Sequence, residues 1–307
     1  MTSAFAAFLV RRFVAAIVFV TLVSASAFTL TRLAPGDATT ELFANGASAV
    51  AQVQLRAQLG LDRPLVEQLG RWFAGVARFD LGTSSHFSGL PVRALVARYA
   101  LRTVELAALA LLLATMVGLP LGIVTGARPR GAVAIVVTPL SVALVSCPPM
   151  IGALALLLLA STTGWLSTAA GDIALPALAL AAPLAAMLER LQNRAVREAL
   201  AAPDLLAGAA RGLSGARLLW VHAARRSLRP VLGVYGIVIG SLFSGSFVVE
   251  IVTAWPGLGR LMYDALVSRD LFLVAGCALA GAVCLACGNF IADVARALAD
   301  PRVQEAA

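Results

Sequence analysis

Lysine is missing from this chain: all 24 basic residues are arginine. A phosphate-binding P-loop uses a lysine to reach the β- and γ-phosphates, and Schiff-base chemistry needs a lysine amine, so both are excluded. Charge is scarce as well. Charged residues make up 13% of 307, about half the share of a soluble domain. Histidine is limited to His86 and His222. No Ser/His/Asp cluster surrounds either, which leaves a membrane enzyme little from which to build a site. The cysteines are Cys147, Cys277, Cys284 and Cys287. Cys284-x-x-Cys287 has redox or metal spacing, but it lies inside an apolar run with no accompanying His or acid. Packing is the expected role of these thiols, with no disulfide framework and no metal site.

What is present is apolar length. The chain is 60% hydrophobic, with mean hydropathy +0.89. Six apolar stretches stand out: Phe13 to Leu30, Leu106 to Ala127, Gly131 to about Ala160, Ile173 to Leu188, Pro230 to Val249 and Leu271 to Ala292. A crossing of the ~30 Å hydrocarbon core takes about 20 residues. The fold class expected is therefore an all-α polytopic membrane protein with six transmembrane helices. Pro139, Pro148 and Pro149 break up the third run. The fourth is short, holds Pro176 and Pro183, and reads as continuing into the cytoplasm through Glu189 and Arg190. The first run continues through Ala25-Ser-Ala27 and reads as a retained anchor rather than a cleaved signal.

Arginine sets the orientation. Arg11-Arg12, Arg128, Arg130, the segment 193–230 and Arg302 fall on one side of six crossings, which the positive-inside rule makes cytoplasmic. Both termini are then expected inside a bacterial cytoplasmic membrane. The same rule accounts for the net charge of +8, so no nucleic-acid partner is expected. The opposite side carries the segment 34–99. Within it Leu65, Val66, Leu69, Trp72, Phe73 and Val76 share one helical face. That stripe suits either a helix lying at the membrane interface or a small subdomain packed on the span ends. Trp255-Pro-Gly-Leu-Gly259 opens a second short helix on that side.

The most informative stretch is the polar island from Asn193 to Pro230. It holds Arg194, Arg197, Arg211, Arg217, Arg225, Arg226 and Arg229 around a core of small residues, Asp204-Leu-Leu-Ala-Gly-Ala-Ala-Arg-Gly212. Pro203 and Asp204 suit a helix start. Ala207, Gly208, Ala209, Ala210 and Gly212 add almost no bulk, so another protein's groove could approach the backbone closely. The competing reading is a membrane-surface helix with its arginines on lipid phosphates. His222 reads either as a pH- or partner-sensitive contact or as a hydrogen-bonded structural residue. His86 lies in a flexible-looking Ser-Ser-His-Phe-Ser stretch. Leu213-Ser-Gly-Ala-Arg217 superficially resembles the signature loop of ABC ATPases, but no P-loop accompanies it. Membrane lipid is the only partner that composition alone implies. No apolar run holds an acid at its middle, which argues against a self-contained secondary transporter, where ion coupling uses such groups.

The island resembles the EAA loop of ABC-importer permeases, whose short coupling helix enters a cleft on the ATPase. Ala209-Ala-Arg-Gly-Leu-Ser214, Leu219-Trp-Val-His-Ala223 and Leu228-Arg-Pro230 are similar to the dipeptide/oligopeptide/nickel branch. So, in order, are Arg11-Arg12 with Arg32-Leu-Ala-Pro-Gly-Asp37, Leu59-Gly-Leu-Asp-Arg-Pro-Leu65 with Asp80-Leu-Gly-Thr83, Val248-Val-Glu-Ile-Val252 with Trp255-Pro-Gly-Leu-Gly-Arg260, and Asp300-Pro-Arg302. The literal Glu-Ala-Ala is absent, Leu206, Ala207 and Gly208 standing there. Asp270-Leu-Phe272 replaces the branch's usual Asp-Tyr-Pro.

The resemblance implies a type I ABC importer permease fold with an outer segment between helices 1 and 2. Residues 1–97 would form the first helix and periplasmic segment, 98–297 the permease domain with a coupling loop at 189–229, and 298–307 a cytoplasmic tail. It implies an ATPase-coupling set of Asp204, Leu205, Leu206, Ala207, Gly208, Ala209, Ala210, Arg211, Gly212 and Leu213. The candidate gating or outer-loop set is Glu250, Trp255, Pro256, Gly257, Gly259 and Arg260. The implied partners are a second homologous permease, two ABC ATPases that bind ATP and Mg, and an extracytoplasmic substrate-binding protein. No cofactor and no catalytic residue are expected in this chain. The implied cargo is di- or oligopeptides, with nickel or a metal chelate as the alternative.

Overall fold

A computed structural model describes residues 3–33, 62–87 and 89–299. Within them the chain is helical, with one isolated bridge between Thr83 and Pro91. The helices are α1 (Ser3–Leu33), α2 (Leu65–Ala77), α3 (Val92–Ala127), α4 (Ala132–Ser146), α5 (Pro149–Thr163), α6 (Ala174–Leu200), α7 (Pro203–Ala210), α8 (Ala224–Leu232), α9 (Tyr235–Val252), α10 (Leu258–Val267) and α11 (Leu271–Ala299). Parts of three of the motifs above, 34–37, 59–61 and 300–302, lie outside the described residues, as does most of the tail.

Five helices are long and apolar enough to cross a membrane, and α4 with α5 makes a sixth span if the bent pair counts as one. That pair is bent by 113°. The cause is local. Cys147 is extended (ψ 123°), as a residue before proline prefers. Pro148 stays extended at ψ 138°, and Pro149 opens α5 at its first turn, where a missing N–H costs nothing.

Several helix ends differ from the apolar runs. The second span starts at Val92 rather than Leu106, and the fourth runs on to Leu200 rather than Leu188. Arg93, Arg98 and Arg102 are all exposed on the added turns of α3, so an apolar run measures the hydrocarbon-facing length, not the helix. The fifth span starts at Tyr235, because Pro230 belongs to α8.

The described chain divides into two compact units. The first comprises Met1–Phe13, Glu105–Trp255 and Cys287–Ala307. Its core gathers Leu106, Ala110, Ala114, Leu180, Leu184, Leu188, Val238, Leu242 and Trp255. Here α3 and α6 approach closely along three glycines of α3. A Cβ on Gly118 would lie 2.6 Å from the Ala185 carbonyl oxygen, one on Gly122 2.6 Å from that of Glu189, and one on Gly126 2.7 Å from that of Asn193. This is the close backbone approach that small residues four apart allow between membrane helices.

The second unit comprises Val14–Val104 and Pro256–Ala286. In it, Leu65, Leu69, Trp72, Phe73 and Val76 of α2 pack with Phe28, Leu271 and Ala275. Trp72 is 3% exposed, and its Nε1–H donates to Ser24 Oγ at 2.9 Å. The apolar stripe is therefore packed on its neighbours rather than left open. Val66 does not join that face and points outward. The loop after α2 is pinned rather than loose. Buried Asp270 accepts from Ser84 Oγ at 2.6 Å, from the His86 N–H at 3.2 Å and from the Leu273 N–H at 3.1 Å.

Candidate functional site

The helix expected at the centre of the polar island forms as α7. Ala202 is extended (ψ 140°), and Pro203 occupies the first turn with Asp204 behind it. The carbonyl of Ala202 accepts from the Leu205 and Leu206 N–H groups, both at 3.1 Å. At the other end Gly212 adopts φ +85°, and the Leu213 N–H returns to the Gly208 carbonyl at 3.2 Å. This is a Schellman closure, for which a left-handed glycine is the usual residue. Ser214 then caps the next turn, its Oγ accepting from the Arg217 N–H. The Leu213-Ser-Gly-Ala-Arg217 string is thus a helix start. A turn at Gly215–Arg217 leads into a π-helical stretch, Leu218–Ala223, and on into α8.

The loop has a small core of its own. Ala199, Leu205, Leu218 and Ala223 are buried together, with Leu200, Leu213 and Leu219 packed around them. Burying a leucine side chain is worth about 1.5–3 kcal/mol, so Leu205 and Leu218 hold α7 against the helices on either side of it. Gly208 takes part in this core. It is buried, and a Cβ there would meet Leu213 Cδ1 at 3.2 Å and Leu218 Cδ2 at 3.3 Å. Its lack of bulk therefore serves the loop's own packing rather than a visitor's approach. The exposed residues of α7 are Pro203, Asp204, Leu206, Ala207, Ala209 and Ala210, with Leu206 56% exposed. Arg211 is exposed, and its Nε–H donates to the Ala207 carbonyl at 3.2 Å.

One ion pair ties α7 to α8. Arg226 Nη1 donates to both carboxylate oxygens of Asp204 at 2.7 Å. That hydrogen bond is the main reason the Asp204 carboxyl titrates below its ordinary value. A depressed carboxylate stabilises the fold above its unfolded pKa, and the contribution disappears as pH falls through the folded value. The pair is therefore intact at neutral pH and lost in acid.

Beneath the loop, where α3, α6 and α8 converge, lies a buried polar cluster that the apolar runs and motifs did not foretell. Thr125 Oγ1 donates to Glu189 Oε1 at 2.6 Å and accepts from Asn193 Nδ2 at 2.8 Å. Gln192 Nε2 donates to Ser227 Oγ at 2.7 Å, which in turn donates to the Ala224 carbonyl. Glu189 Oε2 and Gln192 Oε1 have no protein partner. The available signal was Gly118-x-x-x-Gly122-x-x-x-Gly126, whose spacing marks the face of α3 that closes over this helix.

The second candidate set is divided between the two units. In the first, Glu250 is fully buried and engaged in an interaction. Trp255, 2% exposed, donates its N–H to the Glu250 carbonyl at 3.0 Å. In the second, Gly257 caps α10 in extended conformation, and Leu258 donates its N–H to Thr103 Oγ1 at 2.7 Å. Pro256 and Arg260 are half-buried and Gly259 is buried. Among the described residues no group of three or more His, Cys, Asp or Glu gathers.

Residues 118–305 match the family of binding-protein-dependent transport system inner membrane components. Residues 5–87 match the N-terminal segment of the same kind of protein. The chain belongs to this family. As a member it is a multi-pass membrane permease component of an ABC transport system, a transport subunit rather than an enzyme. It is 28% identical to the oligopeptide transport system permease protein AppB of Bacillus subtilis, over 97% of this chain and 99% of that protein. It is 32% identical to a Brucella suis protein provisionally named a peptide transport system permease protein, over 97% of this chain and 98% of that one. The dipeptide transport system permease protein DppB of Bacillus subtilis is 29% identical, over 97% of this chain and 98% of its own length. The similarity covers the permease from end to end, and the island with α7 lies well inside the longer family match.

Proposed function

We propose that this permease carries peptides inward across the bacterial cytoplasmic membrane by alternating access, driven by ATPases that dock on α7. The observation that carries the docking role is the build of α7. It is a short helix with its own apolar core behind it and an exposed face of Leu206, Ala207, Ala209 and Ala210. An exposed leucine among alanines is a knob on a flat surface, suited to a partner's cleft. The ion pair to α8 and the polar cluster beneath give a push on that face a route into the spans. Peptide cargo is supported by the names of the similar permeases, which are given for oligopeptide and dipeptide transport.

In this reading the island and both termini face the cytoplasm. ATP and Mg sit on two separate ATPases, and a second, homologous permease completes the pore. An extracytoplasmic binding protein delivers cargo over the 34–99 segment and the Trp255 loop. Glu250, Trp255, Pro256, Gly257, Gly259 and Arg260 then belong to the outer gate. The division at 1–97, 98–297 and 298–307 separates the first span, the permease domain and the tail.

The test is Ala209→Trp on the exposed face of α7. The variant is expected to insert normally, to fail to co-purify with the ATPases and to lose uptake of labelled peptide. Wild-type uptake in that variant removes the docking role.

A further inference from the structure

Beside α7 the loop opens a groove of about 510 Å³, lined by Asp204, Val221, His222, Arg225, Arg226 and Arg229 among others. Three arginines against one carboxylate leave an excess of two positive charges. The ion pair accounts for one arginine only, since Arg226 is held by Asp204. Arg225 and Arg229 are exposed, stand four apart on α8, and face the groove. They cannot turn inward, because Ala224, Ser227 and Val231 of the same helix are already buried. His222 adds a third polar group at the upstream end, and Val221, 54% exposed, gives the groove an apolar lip.

We infer that this groove seats the phosphate of an anionic phospholipid headgroup. Two guanidinium groups one helical turn apart can share a phosphodiester through charge-assisted hydrogen bonds, and basic pockets beside membrane helices hold anionic headgroups in this way. Position favours a lipid over a soluble anion. α8 leads almost directly into the span α9, which begins at Tyr235. Arg229 stands six residues before that span in sequence. Trp220, one residue before Val221 in sequence and 53% exposed, is the residue type that settles at headgroup depth. The groove shares Asp204 and Leu205 with α7, so lipid retention and ATPase retention are read separately.

The experiment uses the assembled transporter in nanodiscs of phosphatidylcholine with or without phosphatidylglycerol, and reads retained lipid by native mass spectrometry. The wild type is expected to keep phosphatidylglycerol through delipidation. Arg225→Gln with Arg229→Gln is expected to hold it about ten- to thirtyfold more weakly, with the ATPases still bound. Arg225→Lys with Arg229→Lys keeps the charge and is expected to retain the lipid. Asp204→Asn frees Arg226 and is expected to tighten retention. Equal retention in the wild type and the double glutamine variant overturns the seat. Displacement of the lipid by inorganic phosphate alone overturns its lipid specificity. Loss of the ATPases with lipid retained shows instead that the arginines serve an acidic protein segment.

Discussion

Helix α7 and three helices elsewhere in the chain close in the same way but with different residues. α7 ends on Gly212 at φ +85°, whereas α2, α9 and α10 end on Phe79, Ala254 and Arg269, at φ 57°, 54° and 54°. In each case the next N–H returns to a carbonyl five residues back: Asp80 to Gly75, Trp255 to Glu250, Asp270 to Ala265 and Leu213 to Gly208. For an L-residue the left-handed conformation costs about 1–2 kcal/mol, and glycine escapes that cost. The three strained ends persist because the residue after each one is locked in place. Trp255 and Asp270 are buried, and Asp80 Oδ1 accepts from the Gly82 N–H at 3.0 Å. α7 has only a small core behind it and a largely exposed front, and it closes on the one residue that makes no such demand. Strain sits where tertiary contacts can hold it, and is absent from the element with the most exposed front.

The contrast can be broken most severely at Asp270. Asp270→Ala removes the acceptor for Ser84, His86 and Leu273 and with it the lock behind Arg269. A loss of about 3 kcal/mol is expected, read as a lower unfolding midpoint of the purified permease in detergent. A midpoint within error of the wild type means that the Arg269 turn needs no lock. Gly212→Ala transfers the strain to α7, at an expected cost of about 1–2 kcal/mol. Amide exchange over 203–213 is expected to accelerate by about five- to thirtyfold while the spans keep their protection. Unchanged exchange there means that the small core, not the glycine, sets how α7 ends. The smallest effect is expected from Ala254→Gly. It relieves the left-handed alanine but adds freedom to the unfolded chain, for a net gain of about 0–1 kcal/mol. A clear loss of stability on that substitution contradicts strain at this turn.

Much of this architecture was legible in the residues. The six apolar runs, the break at Pro148-Pro149, the helical stripe around Trp72, and a helix starting at Pro203 and stopping near Gly212 all arise from local chemistry. The helix ends were less legible, because Arg93, Arg98 and Arg102 continue α3 on turns that hydropathy scores as polar. Glu189 reads as the water-facing end of a span, yet it is 1% exposed. Its burial depends on Gly118, Gly122 and Gly126, which lie more than sixty residues away in sequence. Gly208 is ambiguous in the sequence for a related reason. A small residue on a short helix can face either way, and only the packing of Leu205 and Leu218 decides. The Asp204–Arg226 pair, 22 residues apart, had no local signal.

The glycine line on α3 has a mechanical consequence. Flexible side chains between two rods act as a soft gasket that deforms before either rod moves. Between α3 and α6 that gasket is thin at the three glycines, where the α3 backbone meets the Ala185, Glu189 and Asn193 carbonyls and the Cβ atoms of Leu188, Gln192 and Val196. A displacement entering at the foot of α6 therefore has little slack to take up. The two helices travel as one stiff lever rather than as neighbours that slide.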